Sequence, residues 1–184
     1  MCWCSGKMWR YRGNCGILWA RCLKRMDVAV QFEFAGNASH AMDAKGRVII
    51  PVSFRAQLGE CFTVGLNSDF SAIMIYPLII WQETSARLAE IPDTDIEGIE
   101  YVRLITGFSF PNSDLDAQGR LLLPAPLREI AGITKNIRFV GMIRGLEVWD
   151  ENKFTEHVVG GMKNIGKRSS YVYENYFKKK TPNA

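Results

Sequence analysis

Asp43-Ala44-Lys45-Gly46-Arg47-Val48-Ile49-Ile50-Pro51 returns 73 residues later as Asp116-Ala117-Gln118-Gly119-Arg120-Leu121-Leu122-Leu123-Pro124. Asp, Ala, Gly, Arg and Pro recur at identical spacing, and three aliphatic residues separate Arg from Pro in both copies. The same offset, taken without a gap, aligns Phe54-Arg55 with Leu127-Arg128, Gly59 with Gly132 and Tyr76 with Trp149. An internal repeat of this kind sets the organisation of a chain before any other feature.

Each copy reads as one structural unit. Asp with a Gly three residues on is turn chemistry: the carboxylate bonds amides ahead of it, and Gly accepts positive φ. Arg then opens a short aliphatic run of strand character. Pro51 and Pro124 stand where a strand ends and a helix begins. Phe54 and Leu58, like Leu127 and Ala131, are four apart and share a helix face. Gly59 and Gly132 are C-terminal stops. The unit is therefore strand, Asp-Gly turn, strand, two-turn helix, Gly stop and two further short strands.

The paired turns, with His40-Ala41-Met42 before the first and Leu115 before the second, resemble the double signature of the MraZ family. Leu123-Pro124-Ala125-Pro126-Leu127-Arg128-Glu129, Tyr76-Pro77 and Glu147-Val148-Trp149-Asp150 match the same pattern in the same order. The resemblance covers about residues 34 to 160 of the sequence. It implies a mainly β, α+β fold: a pseudo-twofold swapped-hairpin β-barrel made from two AbrB-like repeats, with connecting and C-terminal helices. It also implies a cytoplasmic, nucleoid-associated transcriptional regulator. Such a protein represses its own cell-wall and cell-division operon by binding short G-rich direct repeats as a ring homo-oligomer.

Length and composition agree with intertwined halves. The chain has 184 residues, of which 47% are hydrophobic, so it is globular. One unit of about 45 residues rarely sustains a core alone, which favours a shared one. No apolar run approaches the roughly 20 residues that cross a bilayer. The net charge of +4 is uneven. Residues 1–26 hold six Lys/Arg and no acid, and residues 163–184 hold six against one. Residues 27–162 are left with 11 basic against 18 acidic residues. Contact with DNA must therefore come from local clusters and oligomer geometry rather than total charge.

The expected boundaries follow. Residues 1–25 form an N-terminal extension, 37–80 the first AbrB-like repeat, 81–109 a helical connector, 110–153 the second repeat, and 154–184 a C-terminal helix and basic tail. Translation is expected to start at Met26, with residues 1–25 representing upstream operator DNA read as protein. Trp is encoded by TGG alone, and Trp3, Trp9 and Trp19 lie in this stretch beside Cys2, Cys4, Cys15 and Cys22. Those cysteines could instead hold zinc, but their spacing matches no standard finger or ribbon. Val28–Phe34 reads as a strand. Cys61–Leu66 and Ala72–Tyr76 read as a hairpin, with Cys61 a small core residue. Residues 78–91 and Ile96–Thr106 read as connector helices, with a Glu83–Arg87 pair in the first and Pro92-Asp93-Thr94-Asp95 breaking it and capping the second. Gly160-Gly161 weakens the last helix. From Lys163 the sequence fits a solvated, partly disordered terminus ahead of a phosphate-binding tail.

The candidate DNA-binding residues are Lys45, Arg47, Arg120, Arg55 and Arg128. By the resemblance, Arg47 and Arg120 lie on a DNA-facing loop surface. A guanidinium can bond a phosphate, or take guanine O6 and N7 bidentately. Asp43 with Arg47, and Asp116 with Arg120, could equally pair to hold their turns. Arg55 and Arg128 fit structural ion pairing as well as phosphate contact. Lys45 becomes Gln118 in the second copy, so the halves are unequal readers. His40 is read as a hydrogen-bonding residue. The rival reading is a ring-forming protein-interaction scaffold without specific DNA binding. No P-loop, dinucleotide fingerprint, catalytic triad or cofactor motif is legible, so no enzyme, metal or cofactor is expected.

Overall fold

A computed structural model describes residues 33–178. The expectations for residues 1–25, Met26 and most of the Val28–Phe34 strand lie outside the described residues, as does Lys178-Lys179-Lys180 after its first member. The first half contains β1 (Asn37–Ala41), β2 (Arg47–Ile49), α1 (Val52–Leu58), β3 (Phe62–Leu66) and β4 (Ile73–Pro77). Helices α2 (Leu78–Leu88) and α3 (Ile96–Gly107) lead to the second half. There β5 (Phe110–Ser113), β6 (Arg120–Leu122), α4 (Ala125–Ala131), β7 (Asn136–Gly141) and β8 (Leu146–Asp150) repeat the order. Helices α5 (Glu151–Met162) and α6 (Ile165–Val172) follow, the latter running into a wider π turn over Tyr173–Phe177. The architecture is α+β.

The repeat offset is written into the strand pairing. A six-stranded sheet, all antiparallel, runs β1-β7-β8-β4-β3-β5. Its centre is the β4–β8 pair, where Met74 faces Glu147. A separate ribbon pairs β2 with β6, and there Val48 faces Leu121. Both facing pairs are 73 apart, so one pseudo-twofold axis passes through both. Each half's first strand joins the other half's third: β1 pairs with β7, and β5 with β3. Among the described residues the ladders do not close into a barrel. The backbone turns away between β1 and β2, leaving β1 and β5 as sheet edges and β2–β6 as a ribbon.

The alignment is not gapless throughout. Tyr76 faces Thr63, whereas its repeat partner Trp149 faces Arg138, so the third strands are offset by 75. Two residues added before β7 are removed from the loop between β7 and β8. At these matched positions Thr63 is buried, its Oγ1 without a hydrogen-bond partner among the described residues, while Arg138 pairs with Glu151.

One core serves both halves. Val48, Ile50, Phe54, Leu58, Val64 and Ile75 pack with Leu121, Leu123, Leu127, Ala131, Phe139 and Val148. Removing such side chains from water is the main favourable term of the fold. The two-turn helices end at Gly59 (φ +76) and Gly132 (φ +64), as expected. Asp95 caps α3 by accepting from the Gly98 amide at 3.0 Å. Asp150 caps α5 and also accepts from Thr134 Oγ1 at 2.6 Å.

Several local expectations change. Cys61 lies just before β3 and is half-buried, because Phe62 takes the core position. Glu83 pairs with Arg144 across the fold, and Arg87 donates to the Glu83 carbonyl oxygen. His40 packs edge-on against Phe139 with ring centroids 5.6 Å apart. The chain from Ile165 to Phe177 is helical rather than irregular. Nothing in that stretch breaks a helix: it lacks Pro, and its one Gly stands in the first turn.

Candidate nucleic-acid interface

The two Asp-Gly turns have one design. Asp43 Oδ1 accepts from the amides of Lys45 at 2.8 Å and Arg47 at 2.9 Å, and Oδ2 accepts from Arg47 Nε at 2.7 Å. Asp116 Oδ1 accepts from the amides of Gln118 and Arg120, both at 2.9 Å, and Oδ2 from Arg120 Nε at 2.7 Å. Gly46 and Gly119 supply φ of +80° and +73°, a region that costs other residues strain. The Arg47 amide, then its guanidinium, draws the Asp43 carboxyl down to about 2. The Arg120 amide leads the same downward shift at Asp116.

Each turn arginine is therefore braced by its own Asp. Of five guanidinium N–H groups, Asp43 engages those on Nε and Nη2 of Arg47. The others can meet a phosphate or a base edge. Bracing and DNA contact are compatible, since fixing a long side chain beforehand reduces the entropy lost on binding.

Arg47 and Arg120 belong to one surface. In the ribbon, Arg47 faces Leu122 and Ile49 faces Arg120. Side chains alternate along a strand, so Val48 and Leu121 point into the core and the other four share the outer face. Ile49 is 47% exposed and Leu122 is 59% exposed, unusual values for aliphatic strand residues. The face thus carries two arginines and two aliphatic side chains about the pseudo-twofold axis. Ile49 and Leu122 were not singled out by sequence, although the period of two that turns Arg47 outward turns Ile49 outward with it. Lys45 is exposed at the tip of the first turn, and Gln118 holds that place in the second.

Arg55 and Arg128 are held by backbone carbonyl oxygens rather than by acids. Among the described residues neither forms an ion pair. Arg55 Nε donates to the Ile50 carbonyl oxygen at 2.7 Å, and Arg128 Nε to that of Leu123 at 3.1 Å. Both guanidinium groups then lie against the opposite half's turn. A Cβ built on Gly46 would sit 3.0 Å from Arg128 Cζ, and one on Gly119 would sit 2.2 Å from Arg55 Cζ. The backbone repeats this exchange: Gly46 O accepts from the Leu123 amide and Gly119 O from the Ile50 amide. Each turn therefore gathers its own arginine and that of the other half's helix. The five candidate cations fall into two neighbouring groups, Lys45, Arg47 and Arg128, and Arg120 and Arg55.

Comparison with known proteins identifies the family of this chain. The family described as "MraZ protein, putative antitoxin-like" matches residues 34–99 and 111–159. The chain is 39% identical over 127 residues to "Transcriptional regulator MraZ" of Acetivibrio thermocellus, covering 67% of this chain and 85% of that protein. It is 34% identical over 129 residues to the protein so named in Shewanella pealeana, covering 68% and 84%. Against that of Lachnoclostridium phytofermentans it is 33% identical over 140 residues, covering 74% and 95%. The chain belongs to the MraZ family.

Proposed function

We propose that this chain is a sequence-specific, DNA-binding transcriptional regulator. The observation that carries the proposal is the ribbon face, where Arg47 and Arg120 stand on either side of a pseudo-twofold axis, each braced by an Asp. A two-stranded ribbon is one of the elements that the major groove admits. Arginine there reads guanine, and an exposed Ile or Leu suits apolar contact with a thymine methyl. Lys45, Arg55 and Arg128 supply the phosphate contacts around it. The names of the relatives support a role in transcription.

The finer reading follows the resemblance. The exchanged β1 and β5 correspond to the swapped strands of two AbrB-like repeats, spanning 37–80 and 110–153. Copies of the chain assemble into a ring on G-rich direct repeats and repress the chain's own cell-wall and cell-division operon. Many weak surfaces in register on one DNA raise affinity through effective concentration, which offsets the acidic segment 27–162. The protein acts in the cytoplasm at the nucleoid.

Fluorescence anisotropy of the full chain on the duplex just upstream of its own gene tests this reading. Preference over a scrambled duplex by about 10³-fold or more is expected. Equal affinity for the two duplexes would remove specific regulation and leave a protein-interaction scaffold.

A further inference from the structure

The C-terminal helix is anomalous as a free element. Every residue from Met162 to Lys178 is exposed. Isolated helices this short are marginal in water and gain most of their stability by packing an apolar face. Such a face exists: Ile165, Val172, Tyr173 and Phe177 line a shallow groove beside Arg168. Ile165, Tyr173 and Phe177 are each more than 60% exposed. Contiguous exposed apolar surface of this kind marks a docking site.

A complementary face lies on the connector helix α3. Ile99, Val102 and Ile105 turn toward the body, leaving Glu97, Glu100, Tyr101 and Leu104 exposed, with Glu100 also paired to the exposed Arg103 of its own helix. Between Glu90 and Leu104 the chain has five acids and one base. Between Lys163 and Lys178 it has four bases and one acid. The two faces are therefore matched in charge, and each exposes apolar side chains. They are different surfaces of one chain, so in the ring proposed above the contact runs head-to-tail from copy to copy.

We infer that the α6 segment of one copy packs on this exposed face of α3 in a second copy of this chain, with Lys167 and Arg168 facing Glu97 and Glu100. This rests on the oligomeric reading proposed above and names the surfaces that build the assembly.

The test is the solution mass of the full chain by light scattering and sedimentation, with circular dichroism confirming the fold. Four proteins are compared: the unmodified chain, Lys167→Glu/Arg168→Glu, Glu97→Lys/Glu100→Lys, and the four changes combined. The unmodified chain is expected to be larger than a dimer, and each paired reversal to lower the mass by at least half. The combination is expected to restore it. Phe177→Asp, at an exposed position, is expected to dissociate the assembly without unfolding it. A monomeric unmodified chain would overturn both the ring and this contact. An assembly that survives both reversals and Phe177→Asp would overturn the contact alone. Dissociation by both reversals without restoration would show that the two faces do not meet each other in the assembly, and likewise overturn it.

Discussion

Arg55, on the helix of the first repeat, lies against Gly119, in the turn of the second, closely enough that a Cβ there would meet its guanidinium at 2.2 Å. Arg128 and Gly46 repeat the relationship in the other direction at 3.0 Å. Each candidate DNA-facing turn is thus in contact with the helix arginine and the backbone of the opposite half.

Gly119→Ala is expected to destabilise the chain more than Gly46→Ala. Both introduce a Cβ at positive φ, which costs about 1–2 kcal/mol. Gly119→Ala must also displace Arg55 by a larger distance. Urea unfolding measures the difference, and equal losses would show that the arginine contact adds nothing.

Arg128→Ala is expected to disturb the turn of the first repeat, and Arg55→Ala that of the second. Amide NMR shifts check this: Arg128→Ala should move Lys45, Gly46 and Arg47 more than Gln118 and Arg120. The reverse pattern is expected for Arg55→Ala. Effects confined to each arginine's own half would contradict the exchange.

Acid should loosen the Asp43 turn in a defined range. The folded chain holds Asp43 at about 2, below its ordinary 3.8. A depressed carboxyl contributes stability above its unfolded value and loses it as pH falls through the folded one. The contribution is complete above about pH 4 and disappears toward about pH 2. Asp116 acts in the same direction. Thermal unfolding of Asp43→Asn should therefore fall below that of the unmodified chain near neutrality and converge with it in acid. A gap that persists unchanged in acid would exclude this origin.

Glu147 anchors a polar network at the pseudo-twofold axis, where the first repeat has Met74. Its buried carboxylate accepts from Trp149 Nε1 at 2.8 Å and Asn67 Nδ2 at 3.2 Å. Glu147→Met leaves Trp149 Nε1 without an acceptor and Asn67 Nδ2 with Ser71 Oγ alone, and is expected to cost about 2 kcal/mol or more. Glu147→Gln keeps an acceptor oxygen and should cost less. Chemical denaturation ranks the two, and the opposite order would place the energetic weight on packing.

Much of this arrangement is local and was therefore legible in sequence. Asp43 with Gly46 specifies a turn, Pro51 a helix start, Gly59 a stop, and the Phe54–Leu58 pair a buried face. Strand partners are a tertiary choice, so the β1–β7 and β3–β5 pairings and the two-residue slip at Arg138 left no local trace. The role of Arg55 and Arg128 was hidden because their partners are carbonyl oxygens and the opposite turn, not acids near in sequence. Glu83 shows the same limit: Arg87 stands one helical turn away, yet Arg144 takes the carboxylate.

The salt dependence of binding tests the ribbon face most directly. Anisotropy on the upstream duplex, taken across salt concentrations for the full chain, Arg47→Ala and Arg120→Ala, gives the slope of log K against log salt. Contact with DNA through this face predicts a steep negative slope from counterion release. Both substitutions should weaken binding and flatten that slope while circular dichroism shows the fold intact. Folded variants with unchanged affinity and slope would contradict DNA contact by Arg47 and Arg120 and leave them as braces of their turns.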